Sequence, residues 1–146
     1  MAFEVCKLSK SLGAEVKGLD LREALNPSIR TKINDAFVEN VVLVFRNQNL
    51  TAQQFLAAAK QLGQPATQKL SQYKVPGCPM VSYVSNQEKT DAGNPKLLGK
   101  AWHTDHSFQP EPPKATLLYG VKLPKRGGDT WFANMKLAYD TLPNKL

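Results

Sequence analysis

The stretch that most constrains this chain is Trp102-His103-Thr104-Asp105-His106-Ser107-Phe108. It contains both histidines of the sequence, with a carboxylate two residues after the first of them. In an extended strand, residues i and i+2 project from one face. An imidazole nitrogen and a carboxylate oxygen would then stand side by side. The pair is two-thirds of the two-histidine, one-carboxylate set that holds non-heme Fe(II) with coordination positions left open. Taken alone, His-x-Asp specifies little. The commoner meaning of such a match is a strand histidine hydrogen-bonded to a nearby carboxylate.

Composition narrows the classes. The chain has 146 residues, the size of one domain or part of a larger one. Hydrophobic residues make up 42% and charged residues 21%, enough apolar content for a packed core. No apolar run reaches the roughly 20 residues a membrane-spanning helix needs. The N-terminal residues lack the basic and then apolar regions of a secretion signal, so a cytoplasmic location and no membrane partner are expected. Cys6 and Cys78 stand alone in sequence and are expected to be reduced thiols. The formal net charge of +7 raises a nucleic-acid reading, but the lysines, Lys7, Lys10, Lys17, Lys32, Lys60, Lys69 and Lys74 among them, are scattered, with no basic block interleaved with aromatics. The expectation is a lysine-rich solvated surface and no nucleic-acid partner.

Residues 3–8 and 14–19 read as two short strands around a turn at Ser11-Leu12-Gly13. Asn26 caps a helix with Pro27 at its first position, and Ile29, Ile33, Ala36 and Phe37 give residues 27–39 an apolar face. The β-branched run 41–45 reads as a buried strand. Thr51 and Gln54 have capping-box spacing, and Gly63 stops the helix that follows, with Phe55, Leu56, Ala59 and Leu62 inward. Residues 63–77 and 86–99 are loops by composition, separated by a strand at 80–84. Further strands are expected at 115–121 and 131–133, and Asn134 caps a last helix running toward Pro143. Loops flanking a site on a rigid scaffold often carry ligand contacts.

Four features then align: Trp102-His103-Thr104-Asp105-x-Ser107-Phe108; Pro112-Pro113; Leu117-Leu118-Tyr119; and Gly127-Gly128-Asp129-Thr130 followed by Ala133-Asn134-Met135 and Ala138-Tyr139. Together they resemble the Fe(II)- and 2-oxoglutarate-dependent taurine/chlorophenoxyacetate dioxygenase (TauD/TfdA-like) family. The strand Val41–Phe45 with Arg46, and the helix ending at Leu62-Gly63, resemble that family's N-terminal part. The resemblance covers residues 1–146 as the front portion of one such domain. It implies an α+β fold: a double-stranded β-helix (jelly roll) decorated by helices, incomplete in this chain. It implies Fe(II) and 2-oxoglutarate as cofactors, with His103 and Asp105 as catalytic iron ligands and Thr130 on a 2-oxoglutarate carboxylate. The partners implied are O₂ and a small organic, anionic substrate, hydroxylated with release of succinate and CO₂. Asp105, where relatives that halogenate lack a carboxylate, fits hydroxylation. Phe108, Tyr73 and Asn86 are the substrate-side candidates, Phe108 serving core packing equally well. His106 is read as a pocket-wall residue, and Gly127 and Gly128 as a positive-φ turn.

The family's distal histidine and its 2-oxoglutarate-clamping arginine belong to late strands. This chain has no histidine after His106, and its last arginine is Arg126. Two ligands hold a metal less tightly than three, and 2-oxoglutarate would lose a charge-assisted anchor. The alternative function is therefore a catalytically incomplete jelly-roll fragment acting as a binding or oligomerisation module. Its open strand edges predict pairing with a second copy. A metal-dependent hydrolase using His103 and Asp105 ranks last.

Overall fold

Local signals decide the first two helices, and both form where the sequence places them. The computed structural model describes residues 3–66, 73–85, 93–94, 99 and 101–144. Asn86 lies outside the described residues. The architecture is α+β, and the chain divides into two compact units, one made of residues 1–50 with 120–146 and the other of residues 51–119.

In the first unit, β1 (Glu4–Lys7) and β2 (Ala14–Lys17) form an antiparallel hairpin in which Glu4 faces Lys17 and Lys7 faces Ala14. β2 also pairs, in parallel, with β3 (Leu43–Val44), giving the order β1-β2-β3. Parallel neighbours need a crossover connection, and α1 (Pro27–Asn40) supplies it. The Asn26 side chain accepts from Ile29 N at 2.9 Å, so the expected cap is in place. Ile29, Ile33, Ala36 and Asn40 form the buried face of α1, at the spacing of one helical stripe. They join Ala14, Val16, Leu19, Leu25 and Leu50 in the core of this unit. Phe37, expected inward, is only half-buried. The buried Asn40 satisfies itself by donating from Nδ2 to Ala36 O at 2.9 Å.

The strand expected over 41–45 shrinks to Leu43–Val44. A γ-turn at Val41, with φ 65° and Val42 N–H bonded to Asn40 O at 2.7 Å, breaks the extended run. Gln48 then clasps the loop after β2. Its Oε1 accepts from Leu21 N at 2.9 Å, and its Nε2 donates to Leu19 O at 2.9 Å and Arg46 O at 3.1 Å. The last helix, α3 (Met135–Asp140), is capped by Asn134, whose Oδ1 accepts from Leu137 N at 2.9 Å. The same side chain donates from Nδ2 to Ser11 O at 2.7 Å, docking α3 on the β1–β2 turn.

In the second unit, α2 (Ala52–Leu62) opens on the full capping box: Gln54 N donates to Thr51 Oγ1 at 3.2 Å and Thr51 N to Gln54 Oε1 at 2.9 Å. Ala58 is its buried residue, while Phe55, Leu56, Ala59 and Leu62 are half-buried. The helix packs on the two-stranded sheet of β4 (Lys74–Val75) and β5 (Cys78–Ser82). The buried Cys78 thiol lies 3.6 Å from Ala52 O, and Phe55 stacks on Tyr119 with centroids 5.7 Å apart. Both cysteines are free thiols, as expected.

The strands expected at 115–121 and 131–133 are not formed. A strand exists only through a partner's hydrogen bonds, and no described residue pairs with either run. Their apolar side chains remain at the surface, among them Leu117, Leu118, Val121, Trp131 and Phe132. Among the described residues, no helix is long and apolar enough to cross a membrane.

Candidate functional site

The segment carrying His103 and Asp105 is irregular up to Thr104 and then turns through residues 105–108. His106 takes a positive φ of 53°, and Gln109 N–H bonds to His106 O at 3.0 Å. The strand geometry expected for the motif is thus replaced by a turn. The two side chains meet nonetheless: His103 Nε2 stands 3.3 Å from Asp105 Oδ1.

Both groups are held from behind. His103 Nδ1 lies 2.8 Å from Ala101 O. A carbonyl oxygen can only accept, so Nδ1 donates to it, and Nε2 is the ring nitrogen turned toward Asp105. Asp105 Oδ2 accepts from Thr116 Oγ1 at 2.6 Å, which leaves Oδ1 toward the imidazole. Nε2 and Oδ1, both atoms able to ligate a cation, thus stand 3.3 Å apart. A proton on Nε2 or a metal ion held by both atoms would join them. Two ligand atoms each about 2.1 Å from a metal and at right angles lie about 3 Å apart. The spacing fits. The side chains are 58% and 44% exposed, so the pair is reachable from solvent. Among the described residues no cluster of three or more histidine, cysteine or acidic side chains forms a metal site.

The remaining candidates sit apart in role. The Phe108 ring lies 6.0 Å from that of His106, tilted at 55°, and is largely exposed. His106 Nδ1 lies 3.3 Å from Gln109 Nε2, so this imidazole serves the turn. Tyr73 leads into the β4–β5 hairpin, its carbonyl accepting from Tyr83 N at 2.7 Å. Thr130 belongs to the first unit, whereas His103 and Asp105 belong to the second. It is exposed and follows Gly127 and Gly128, both at positive φ (71° and 75°) as expected of the glycine turn. A Cβ on Gly128 would also come within 3.0 Å of Pro124 Cγ, so only glycine fits there. The Thr116 contact was not legible in the sequence. Its one signal is a hydroxyl set among the apolar residues Ala115, Leu117 and Leu118.

The α+β architecture, the solvent-reachable His103–Asp105 pair and the glycine turn ahead of Thr130 are the features to set beside known proteins. It belongs to the taurine catabolism dioxygenase TauD, TfdA family, which it matches over residues 4–146. It is 36% identical over 146 residues to the alpha-ketoglutarate-dependent 2,4-dichlorophenoxyacetate dioxygenase of Cupriavidus pinatubonensis, covering 91% of this chain and 50% of that protein. To the alpha-ketoglutarate-dependent sulfate ester dioxygenase of Pseudomonas putida it is 33% identical over 147 residues, covering 100% of this chain and 46% of that one. A crystal structure from Burkholderia xenovorans, described as an alpha-ketoglutarate-dependent taurine dioxygenase, superimposes with a TM-score of 0.51 at 33% identity, covering 53% of this chain and 28% of that one. The chain spans about half the length of the curated relatives it matches.

Proposed function

We propose that this chain is the front portion of a double-stranded β-helix domain, residues 1–146, and that it serves an Fe(II)- and 2-oxoglutarate-dependent dioxygenase acting on a small anionic substrate. The observation that carries the reading is the meeting of His103 Nε2 and Asp105 Oδ1 at 3.3 Å, the separation of two ligand atoms on one metal ion. The donor set, one imidazole and one carboxylate, suits Fe(II). His103 and Asp105 would hold the metal. Bound there, the metal would supply the oxidative chemistry of 2-oxoglutarate and O₂. The chain's own part is orientation: the Ala101 carbonyl holds the imidazole by Nδ1, and Thr130 would offer a hydroxyl to a 2-oxoglutarate carboxylate. Phe108, Tyr73 and Asn86 are assigned to the substrate side. Activity on an aryloxyacetate or a sulfate ester is the first expectation, since the relatives are named for those substrates.

The test is anaerobic equilibrium dialysis of Fe(II) against the chain and its His103→Ala and Asp105→Ala variants, followed by succinate release from 2-oxoglutarate with 2,4-dichlorophenoxyacetate or an alkyl sulfate. Loss of Fe(II) binding in both variants is expected. Equal binding by the parent and both variants refutes the reading.

One observation favours a second reading, an oligomerisation module. Large apolar side chains of the first unit, including Val121, Leu123, Trp131 and Met135, are exposed. Light scattering that shows only monomer over a wide concentration range removes this reading.

A further inference from the structure

We infer that Thr116 is a positioning residue for the metal-binding carboxylate, an inference that rests on the proposed role of His103 and Asp105. A carboxylate turns about its last bond and can offer either oxygen. The Thr116 hydroxyl, 2.6 Å from Asp105 Oδ2, occupies one oxygen and leaves Oδ1 directed at His103 Nε2, 3.3 Å away. The hydroxyl does for the carboxylate what the Ala101 carbonyl, 2.8 Å from Nδ1, does for the imidazole. Each candidate ligand thus has one outer partner on the atom not facing the other. Partners of this kind orient ligands, and their loss typically weakens metal binding roughly 10- to 100-fold.

The chain places Thr116 by anchoring it close by. Three residues on, Tyr119 stacks on Phe55 of α2 at 5.7 Å with an interplanar angle of 29°. The segment reaches Asp105 across eleven residues, through a run containing Pro110, Pro112 and Pro113. Proline fixes φ and lowers the freedom of the unfolded loop, so the ordering cost of bringing the two groups together is reduced. The hydroxyl is the only polar atom of this side chain. Its task is separable from packing: valine keeps the shape and removes the donor, and serine keeps the donor and removes a methyl.

The experiment titrates the intact chain with Mn(II), an oxygen-insensitive substitute for Fe(II), reading free Mn(II) by electron paramagnetic resonance. Five proteins are compared: parent, Thr116→Val, Thr116→Ser, His103→Ala and Asp105→Ala, with circular dichroism confirming equal folding. The expected result is loss of site binding in the alanine variants, at least 10-fold weaker binding in Thr116→Val, and recovery to within about threefold of the parent in Thr116→Ser. If Thr116→Val binds as the parent does while the alanine variants do not, the positioning role is overturned and the metal pair stands. Weakening in Thr116→Ser equal to that in Thr116→Val overturns it as well, because the methyl and not the hydroxyl would then matter. Binding unchanged in His103→Ala and Asp105→Ala overturns the metal reading itself, and this inference with it.

Discussion

Replacing Gln48 by alanine tests how the first unit holds its loops. The side chain makes two part-buried bonds to backbone atoms 27 and 29 residues earlier, Leu21 N to Oε1 and Nε2 to Leu19 O, both at 2.9 Å. A third, to Arg46 O at 3.1 Å, is exposed. Each part-buried bond contributes about 1 kcal/mol net, and the exposed one little, since water replaces it. Leu19 is nearly fully buried, so its carbonyl is poorly served by solvent once the amide is gone. The loss comes to about 2 kcal/mol. With a urea slope of roughly 1.5 kcal/mol per molar, the unfolding midpoint of Gln48→Ala should fall by about 1.3 M. Gln53→Ala, at an exposed position on α2, is the control and should leave the midpoint within about 0.3 M, as surface substitutions do. Gln48→Glu keeps an acceptor for Leu21 N but sets a charged oxygen against the Leu19 carbonyl. It should be destabilised at neutral pH and recover part of the loss in acid, when the protonated carboxyl regains a donor. A shift in Gln48→Ala no larger than that of the control would refute the clasp.

Asn134→Ala removes both the α3 cap and the bond to Ser11 O, together worth about 2 kcal/mol. Because α3 has six residues and buries none of them, amide exchange at Leu137 and Ala138 should quicken roughly 30-fold, with Asn134→Asp, which keeps the acceptor, in between; unchanged exchange would remove the docking role. The Arg22 guanidinium, hydrogen-bonded to Asp20 and joined by the Arg22 backbone N–H, holds the Asp20 carboxyl down at about 2 against an ordinary 3.8. A lowered folded-state value stabilises above the ordinary carboxylate range, and that contribution disappears as pH falls toward about 2. Arg22→Ala should bring the Asp20 midpoint, followed by NMR, back toward 3.8; a midpoint still near 2 would discount the pair.

What was legible in the sequence was what the chain settles locally. Asn26 with Pro27, Thr51 with Gln54, and Asn134 each declare a helix start, and each cap forms with the residue expected of it. A helix closes its hydrogen bonds within itself, so its signals suffice. A strand does not. Residues 115–121 carry as strong a β pattern as residues 14–19, but the latter find β1 and β3 beside them and the former find no partner among the described residues. The same limit applies at the candidate site. The meeting of His103 and Asp105 was legible from a spacing of two, although a turn and not a strand achieves it. The hydroxyl that steadies Asp105 comes from eleven residues away, and no short-range pattern announces a contact of that span.

The two tryptophans have an experimental consequence. Trp102 is 69% exposed and Trp131 is 77% exposed, and they are the only indoles in the chain. The intrinsic fluorescence should therefore be that of hydrated tryptophan, red-shifted and open to quenching by iodide. Any molecule that settles over either ring will shift the emission to shorter wavelength and shield it from the quencher, so association can be followed on the unlabelled protein.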